Sequence, residues 1–440
     1  MARRLFGTDG VRGVAGRDVT AELALGLAAA AVRRASAGGR PPQVLVLRDT
    51  RESGDMLEAA TAAGVAQAGG TALLGGVLPT PAAPLLVRRY GLDLGVVLSA
   101  SHNPFHDNGI KFFGADGDKL SDEAEEEIEA LFEEGPPPAG PIGRVRDFHG
   151  TLEDYLRELH TRFEGLDLSG VNVLLDCAHG AAYRAAPEIF RRLGAEVTAI
   201  GVDPDGRNIN DGVGSTHVDT LAAAVAEGAH DLGFAFDGDA DRVLAADRRG
   251  QVVDGDELIA LAAVHLREAG RLPGNGVAVT VMTNYGFHTA MRKGGIEVAT
   301  TQVGDRYVLE ALRERGWALG GEQSGHIMDL GFAPSGDGIA SALLALEALG
   351  GADLAERHAM EKLPQKLVNV RVGDREAAIN DPGIVEACDR EAEALEGRGR
   401  VLVRPSGTEP MVRVMVEAPS EEEAAEVCDR LVSAVQAVTA

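Results

Sequence analysis

The sequence predicts an α/β protein: three related mixed α/β domains plus a smaller C-terminal α+β domain, with the active site in the central cleft. Three observations carry this expectation. Short β-branched runs that turn polar and feed alanine-rich stretches recur at "VLVLRDTRESG" (44–54), "VNVLLDCAHGA" (171–181) and "VAVTVMTNYG" (277–286). Each is followed by a second apolar run opening into a polar loop: "DLGVVLSASHN" from Asp93, "DLGFAFDGDAD" from Asp231 and "WALGGEQSGH" from Trp317. After about residue 365 this alternation of strand and helix signals gives way to a different order.

The boundaries follow from composition. "EEGPPPAGPIG" (133–143) is a Pro/Gly loop that closes the first copy, after an acidic helix for which Ser121 is the expected cap. "AADRRGQVVDGDEL" reads as a hairpin leading into a helix, which ends the second copy near residue 254. Beyond the third copy, "QKLVNVRV", a charged helix, "RVLVRPSGTEP", "MVRVMVEA" and a final helix capped by Ser420 spell β-α-β-β-α. The expected domains are therefore 1–153, 154–254, 255–365 and 366–440.

Composition narrows the function. A chain of 440 residues has room for about three domains of roughly 150 residues. With 42 basic against 68 acidic residues, the formal charge of −26 disfavours nucleic acid or an anionic membrane as main partner. Aromatic residues make up only 4%, with one Trp, so stacking platforms for bare sugars or bases are not expected. Cys177, Cys388 and Cys428 form no C-x-x-C pair, which fits a reducing compartment. The opening "MARRLFGTDGVRG" lacks a signal-peptide apolar segment, and runs such as "LALGLAAAAV" fall short of the ~18 residues of a membrane span. A cytoplasmic enzyme of small molecules is the expectation.

Four loops carry the chemistry. In "FDGDADRV" (236–243), Asp237, Asp239 and Asp241 place three carboxylates at i, i+2 and i+4. Mutual repulsion would raise their pKa values unless a hard divalent ion used them as ligands, and so few carboxylates suit Mg²⁺ with phosphate and water completing its shell. An EF-hand is excluded, because its required Gly and Glu fall on Arg242 and Arg248. Arg242 follows the aspartates directly and is placed to meet a phosphate. In "RPSGTEPMVRV" (404–414), Arg404, Ser406, Gly407, Thr408 and Arg413 supply a guanidinium fork, hydroxyls and a turn able to aim N–H groups at an anion. In "GGEQSGHIMD" (320–329), Glu322 and Ser324 suit a hydroxyl-rich ligand and His326 suits proton transfer.

The fourth loop, "SASHNPFHDNGIKFFG" (99–114), puts Ser101 at the end of an apolar run, with Lys111 ten residues later. No G-x-S-x-G occurs, which argues against an acyl-enzyme serine. Pro104 breaks the helix that a His102/His106 metal pair would need. No G-x-x-x-x-G-K or G-x-G-x-x-G is present, which disfavours nucleotide as phosphate donor. A serine facing a metal site, a phosphate cradle and a lysine fits a phosphoserine relay. Phosphate monoesters need ~20 kcal/mol of barrier lowering, which metal, cations and positioning supply only together.

The set "FGTDGVRG", "SASHNPFHDNGIKFFG", "FDGDADR", "GGEQSGH" and "RPSGTEP" resembles the α-D-phosphohexomutase superfamily across the whole chain and in its order. The resemblance implies three related α/β domains and a C-terminal domain like the TATA-binding protein. It implies Ser101 as the phosphorylated serine, and Asp237, Asp239 and Asp241 with the phosphoserine oxygen as Mg²⁺ ligands. Lys111, His326 and Arg12 match positions of proton transfer or its electrostatic support, and Glu322 and Ser324 match sugar contacts. Arg404, Ser406, Gly407, Thr408 and Arg413 match the grip on the non-reacting phosphate. "GEQSGH", with Gln323, is the form of the glucosamine-type branch, against a phosphomannose/phosphoglucose alternative. The implied reaction interconverts glucosamine 6-phosphate and glucosamine 1-phosphate for cell-wall precursors, with glucosamine or glucose 1,6-bisphosphate as intermediate or activator. A homodimer is compatible with the resemblance.

Overall fold

The computed structural model describes residues 5–439 except 8, 37–39, 138–139 and 406–409. The chain divides into two compact units, 1–281 with 299–357 and 282–298 with 358–440.

The first unit contains the predicted repetition as topology. In its first sheet the apolar strands Gln43–Arg48 and Leu94–Leu98 lie parallel and adjacent, and Asp107–Gly114 returns antiparallel. The second sheet repeats the arrangement with Asn172–Asp176, Leu232–Phe236 and Val243–Asp247. The third repeats it with Gly276–Thr280, Leu319–Gly321 and Ile327–Asp329. Leu94–Leu98 and Leu232–Phe236 are buried at every residue, as expected of central strands covered on both faces. Each copy therefore makes a polar loop at the same topological point, between the second parallel strand and the antiparallel return. These are 99–106, 237–242 and 322–326.

The helices start where the sequence says they should. Thr20 caps Ala21–Ala35, and Ser121 caps the acidic Asp122–Glu133 through the Ala124 N–H. The hairpin Val243–Asp247/Val252–Val253 runs into Gly255–Glu268, where Asp254 and Glu257 form a capping box. Among the described residues, no helix is long and apolar enough to cross a membrane.

The second unit is built on an antiparallel sheet in the order Gln365–Arg371, Met411–Glu417, Arg400–Pro405. The predicted β-α-β-β-α order holds, with its first helix in two pieces, Arg375–Ile379 and Pro382–Ala394. Asp381 caps the second piece and Pro382 occupies its first turn, where a missing N–H costs nothing. Ser420 caps the last helix through the Glu423 N–H, at 3.2 Å. Val412, Val414 and Val416 pack the sheet against these helices.

One close approach fixes where the aspartate loop lies. A Cβ on Gly180 would sit 2.3 Å from the Gly238 carbonyl oxygen, which itself accepts the Ala181 N–H at 2.8 Å. Gly180→Ala should therefore lower stability by about 1–3 kcal/mol, read from the denaturation midpoint. Gly165→Ala, whose methyl would meet nothing within 4 Å, should stay within about 0.5 kcal/mol of the parent. Equal midpoints for the two variants would contradict this packing.

Candidate active site

Ser101 follows the buried strand Leu94–Leu98 and adopts φ +52°, the left-handed region that costs a non-glycine residue about 1–2 kcal/mol. That conformation aims its hydroxyl across to the second sheet, where Ser101 Oγ donates to Asp237 Oδ2 at 2.6 Å. Asp107–Gly114 pairs antiparallel with the same strand and sets Lys111 opposite Val97. The buried Lys111 Nζ lies 2.8 Å from Asp239 Oδ2, 3.1 Å from Asp9 and 3.6 Å from Asp241. Burial works against its charge, but Asp239, Asp9 and Asp241 outweigh it and hold the ammonium far above its ordinary pKa. Thr80 completes this corner: its hydroxyl donates to Asp239 Oδ2 at 2.6 Å and its N–H to the Asp239 carbonyl at 2.9 Å.

The carboxylates fit a hard divalent cation. Each of Asp237, Asp239 and Asp241 is buried, and one ligand oxygen from each lies within 4.8 Å of the others. Asp239 Oδ1 and Asp241 Oδ1 are buried with no hydrogen-bond partner among the described residues, and an orphaned carboxylate oxygen is costly without a cation. Burial, then Asp241 and Asp239, pushes the Asp237 carboxyl well above its usual range. Burial also disfavours charge on Asp241, but Lys111 and His326 overcome it and hold that carboxyl well below. An all-oxygen set of this size suits Mg²⁺, with the Ser101 oxygen beside it.

These groups open on a cleft of about 470 Å³, lined among others by Arg12, Ser101, Asp241, Arg242, Glu322 and His326. Arg12 is paired with Asp9, and Arg242 Nε, with no hydrogen-bond partner among the described residues, lies 3.9 Å from Asp241 Oδ1. Glu322 Oε1 accepts the Gly304 N–H at 3.1 Å. His326 Nδ1 stands 3.6 Å from Asp241 and its Nε2 3.7 Å from Asp305. Burial lowers its pKa, but the two carboxylates more than compensate and raise it. His102, also on the wall, is depressed to about 4 by burial and by Arg242 and Arg12. Ser324 is exposed and does not line the cleft. Gln323 turns its amide to the helix cap Asp254, at 3.2 Å, so it shapes the loop.

The chain matches the phosphoglucomutase/phosphomannomutase family in four consecutive segments: alpha/beta/alpha domain I over 3–138, domain II over 153–250, domain III over 254–366 and the C-terminal domain over 367–434. It belongs to the phosphoglucomutase/phosphomannomutase family. It is 51% identical to a phosphoglucosamine mutase of Mycolicibacterium paratuberculosis, with 99% of each chain covered. It is 52% identical to one from Moorella thermoacetica, with 96% of each covered. Among solved structures it resembles a family member from Burkholderia thailandensis, at 23% identity, TM-score 0.83 and coverage of 98% and 97%. It also resembles the Aspergillus fumigatus N-acetylphosphoglucosamine mutase solved with GlcNAc-6P and magnesium, at 20% identity, TM-score 0.69 and coverage of 99% and 96%.

In this phosphohexomutase, sequence motifs miss most of the groups that tie the site together. Lys119 bridges Asp9 and Asp305, at 2.5 Å to each, and Asp305 in turn faces His326. Asp9 sits inside "FGTDGVRG", three residues from Arg12, and was open to detection; Thr80, Lys119 and Asp305 belong to no motif.

In the second unit, Arg404 and Arg413 stand directly opposite each other on paired strands. Arg413 Nε has no partner among the described residues, and burial together with Arg413 lowers the Arg404 pKa. Like charges in direct register are unfavourable until an anion joins them. Ser406, Gly407 and Thr408 lie outside the described residues.

If the carboxylates need a cation, metal should stabilise the protein independently of turnover. Mg²⁺ at about 100 times its Kd should raise stability by about 2.7 kcal/mol. Asp239→Asn should remove most of that gain in a thermal melt. A parent protein that melts identically with Mg²⁺ and with chelator would contradict the assignment.

Proposed function

We propose that this chain is a phosphoglucosamine mutase, an isomerase that interconverts glucosamine 6-phosphate and glucosamine 1-phosphate through a phosphoserine at Ser101. The observation that carries the reading is the strained Ser101, its hydroxyl 2.6 Å from a buried aspartate cluster and open to a cleft of sugar-phosphate size. The relatives at 51–52% identity over nearly the whole chain support the amino-sugar substrate.

In the first half-reaction the P–Oγ bond of phosphoserine breaks and a P–O bond to the sugar hydroxyl forms, giving a sugar bisphosphate and free Ser101. The bisphosphate turns around, and the second half-reaction returns its other phosphoryl group to Ser101. Nothing is consumed, so the step balances as an isomerisation. Mg²⁺, held by Asp237, Asp239, Asp241 and the Ser101 oxygen, would supply charge withdrawal from the transferring group. Lys111, enclosed by carboxylates, and Arg12 serve as fixed positive charges beside it. His326, on the cleft wall, holds the proton exchanged with the sugar hydroxyl. Arg242 contacts the reacting phosphate and Glu322 contacts the sugar from the cleft wall; Ser324, exposed beside Glu322, reaches the sugar only if its loop turns toward the cleft. Arg404, Ser406, Gly407, Thr408 and Arg413 grip the phosphate that is not reacting.

The same reading places domain boundaries at 1–153, 154–254, 255–365 and 366–440. Glucosamine or glucose 1,6-bisphosphate serves as activator, the enzyme works in the cytoplasm, neither nucleic acid nor membrane is its partner, and a homodimer is its proposed assembly.

A coupled assay comparing glucosamine, glucose and mannose phosphates at matched concentrations tests the substrate. The expected result is the highest kcat/KM for glucosamine phosphate, with some leakage to glucose, since one altered substituent is rejected strongly only when polar groups go unpaired. Equal kcat/KM values would contradict the amino-sugar assignment. Ser101→Ala should abolish turnover with phosphosugar binding retained, and a near-normal rate in that variant would remove the relay.

A further inference from the structure

The polar end of "VLVLRDTRESG" enters none of the chemistry above. Asp49 and Arg51 follow the strand Gln43–Arg48, their side chains are wholly enclosed, and neither lines the cleft. Arg51 nevertheless spends its guanidinium on one loop. Its Nη2 donates to the Ser101 carbonyl at 2.9 Å and to the Asn103 carbonyl at 2.8 Å. Its Nη1 donates to the carbonyls of Pro104 and, at 3.1 Å, of Asp107. Its Nε donates to Asp49 Oδ2 at 2.8 Å.

Asp49 holds the other side of the same residue. Its Oδ2 also accepts the Ser99 hydroxyl at 2.6 Å, and Ser99 Oγ accepts the Ser101 N–H at 3.0 Å. Both backbone polar groups of Ser101 thus end on one buried ion pair, and Asn210 Nδ2 reinforces the Ser101 carbonyl at 3.0 Å. Four converging carbonyls need donors, and a left-handed non-glycine residue persists only where its surroundings over-determine it.

We propose that Asp49 and Arg51 are a positioning pair that locks Ser101 in its left-handed conformation and so aims its oxygen at the cluster of Asp237, Asp239 and Asp241. The proposal rests on Ser101 being the phosphoryl carrier. Without the lock the loop relaxes, the serine oxygen leaves its in-line place, and chemistry slows while the substrate contacts on the cleft wall stay in place. A displacement of about 1 Å is enough for a loss on the order of 100-fold.

Ser99→Ala cuts the link from Asp49 to the Ser101 N–H by removing a single hydroxyl, and Arg51→Lys keeps the charge but loses the planar fork. Each variant and the parent would be assayed for kcat and KM on glucosamine 6-phosphate, for the rate at which glucose 1,6-bisphosphate phosphorylates Ser101, and for melting temperature. The expected result is kcat lowered about 10- to 100-fold with KM within about twofold. Phosphorylation of Ser101 should slow by the same factor, and Ser99→Ala should melt close to the parent. Parental kcat and phosphorylation rate in Ser99→Ala, or a loss confined to KM, overturns the proposal. If Arg51→Lys does not fold, Ser99→Ala decides alone. An active parent with indifferent variants removes only the lock; a parent that neither turns over nor takes phosphate on Ser101 removes the mutase reading and the lock together.

Discussion

Burying the carboxylates of Asp237, Asp239 and Asp241 with ligand oxygens within 4.8 Å of one another creates a charge that the surrounding fold has to balance. Burial, with mutual repulsion at that separation, favours neutralising at least one of them, and pushes the Asp237 carboxyl well above its usual range. Lys111, delivered from the first sheet, and His326, from the third, offset part of it. Asp239 Oδ1 and Asp241 Oδ1 still accept no hydrogen bond among the described residues, which suits a cation. The acidic cluster therefore links three sheets, each of which supplies a group that meets it.

The three copies share the pairing order that brings these loops to the cluster. Parallel strand, parallel neighbour, polar loop and antiparallel return give each copy one functional loop at an equivalent place. The sheets themselves differ, with six, five and four strands, but each keeps this core of pairings and varies what its loop carries. The first presents a nucleophilic hydroxyl, the second anionic ligands, and the third a carboxylate and an imidazole. Ser101 at φ +52° and Ala240 at φ +57° put left-handed backbone into the first two of these loops.

How much of this could be read from the chain depended on sequence distance. The aspartates were legible because i, i+2 and i+4 spacing is local, and Ser101 because an apolar run stops abruptly at a polar loop. The strand repeat was legible as composition, though only the structure shows the same pairing order in each copy. Thr80 with Asp239 and Lys119 with Asp305 are separated by 159 and 186 residues, and no local pattern signals them. Ser324 and Gln323 were legible as part of a motif, yet the structure leaves the first exposed and turns the second to the helix cap Asp254, because both sit at a turn whose side-chain directions no sequence period sets. In the C-terminal unit the facing arginines follow from antiparallel register, which a sequence reading cannot set without knowing the turn between them.

The central claim is that the oxygen beside this cluster carries the phosphoryl group during turnover. Enzyme labelled with ³²P on Ser101 would be mixed with unlabelled glucosamine 6-phosphate and quenched at times shorter than one turnover. The account predicts that label leaves the protein at least as fast as kcat and appears first in sugar bisphosphate, then in sugar monophosphate. Label that stays on Ser101 while product forms, or that leaves as inorganic phosphate, would contradict it.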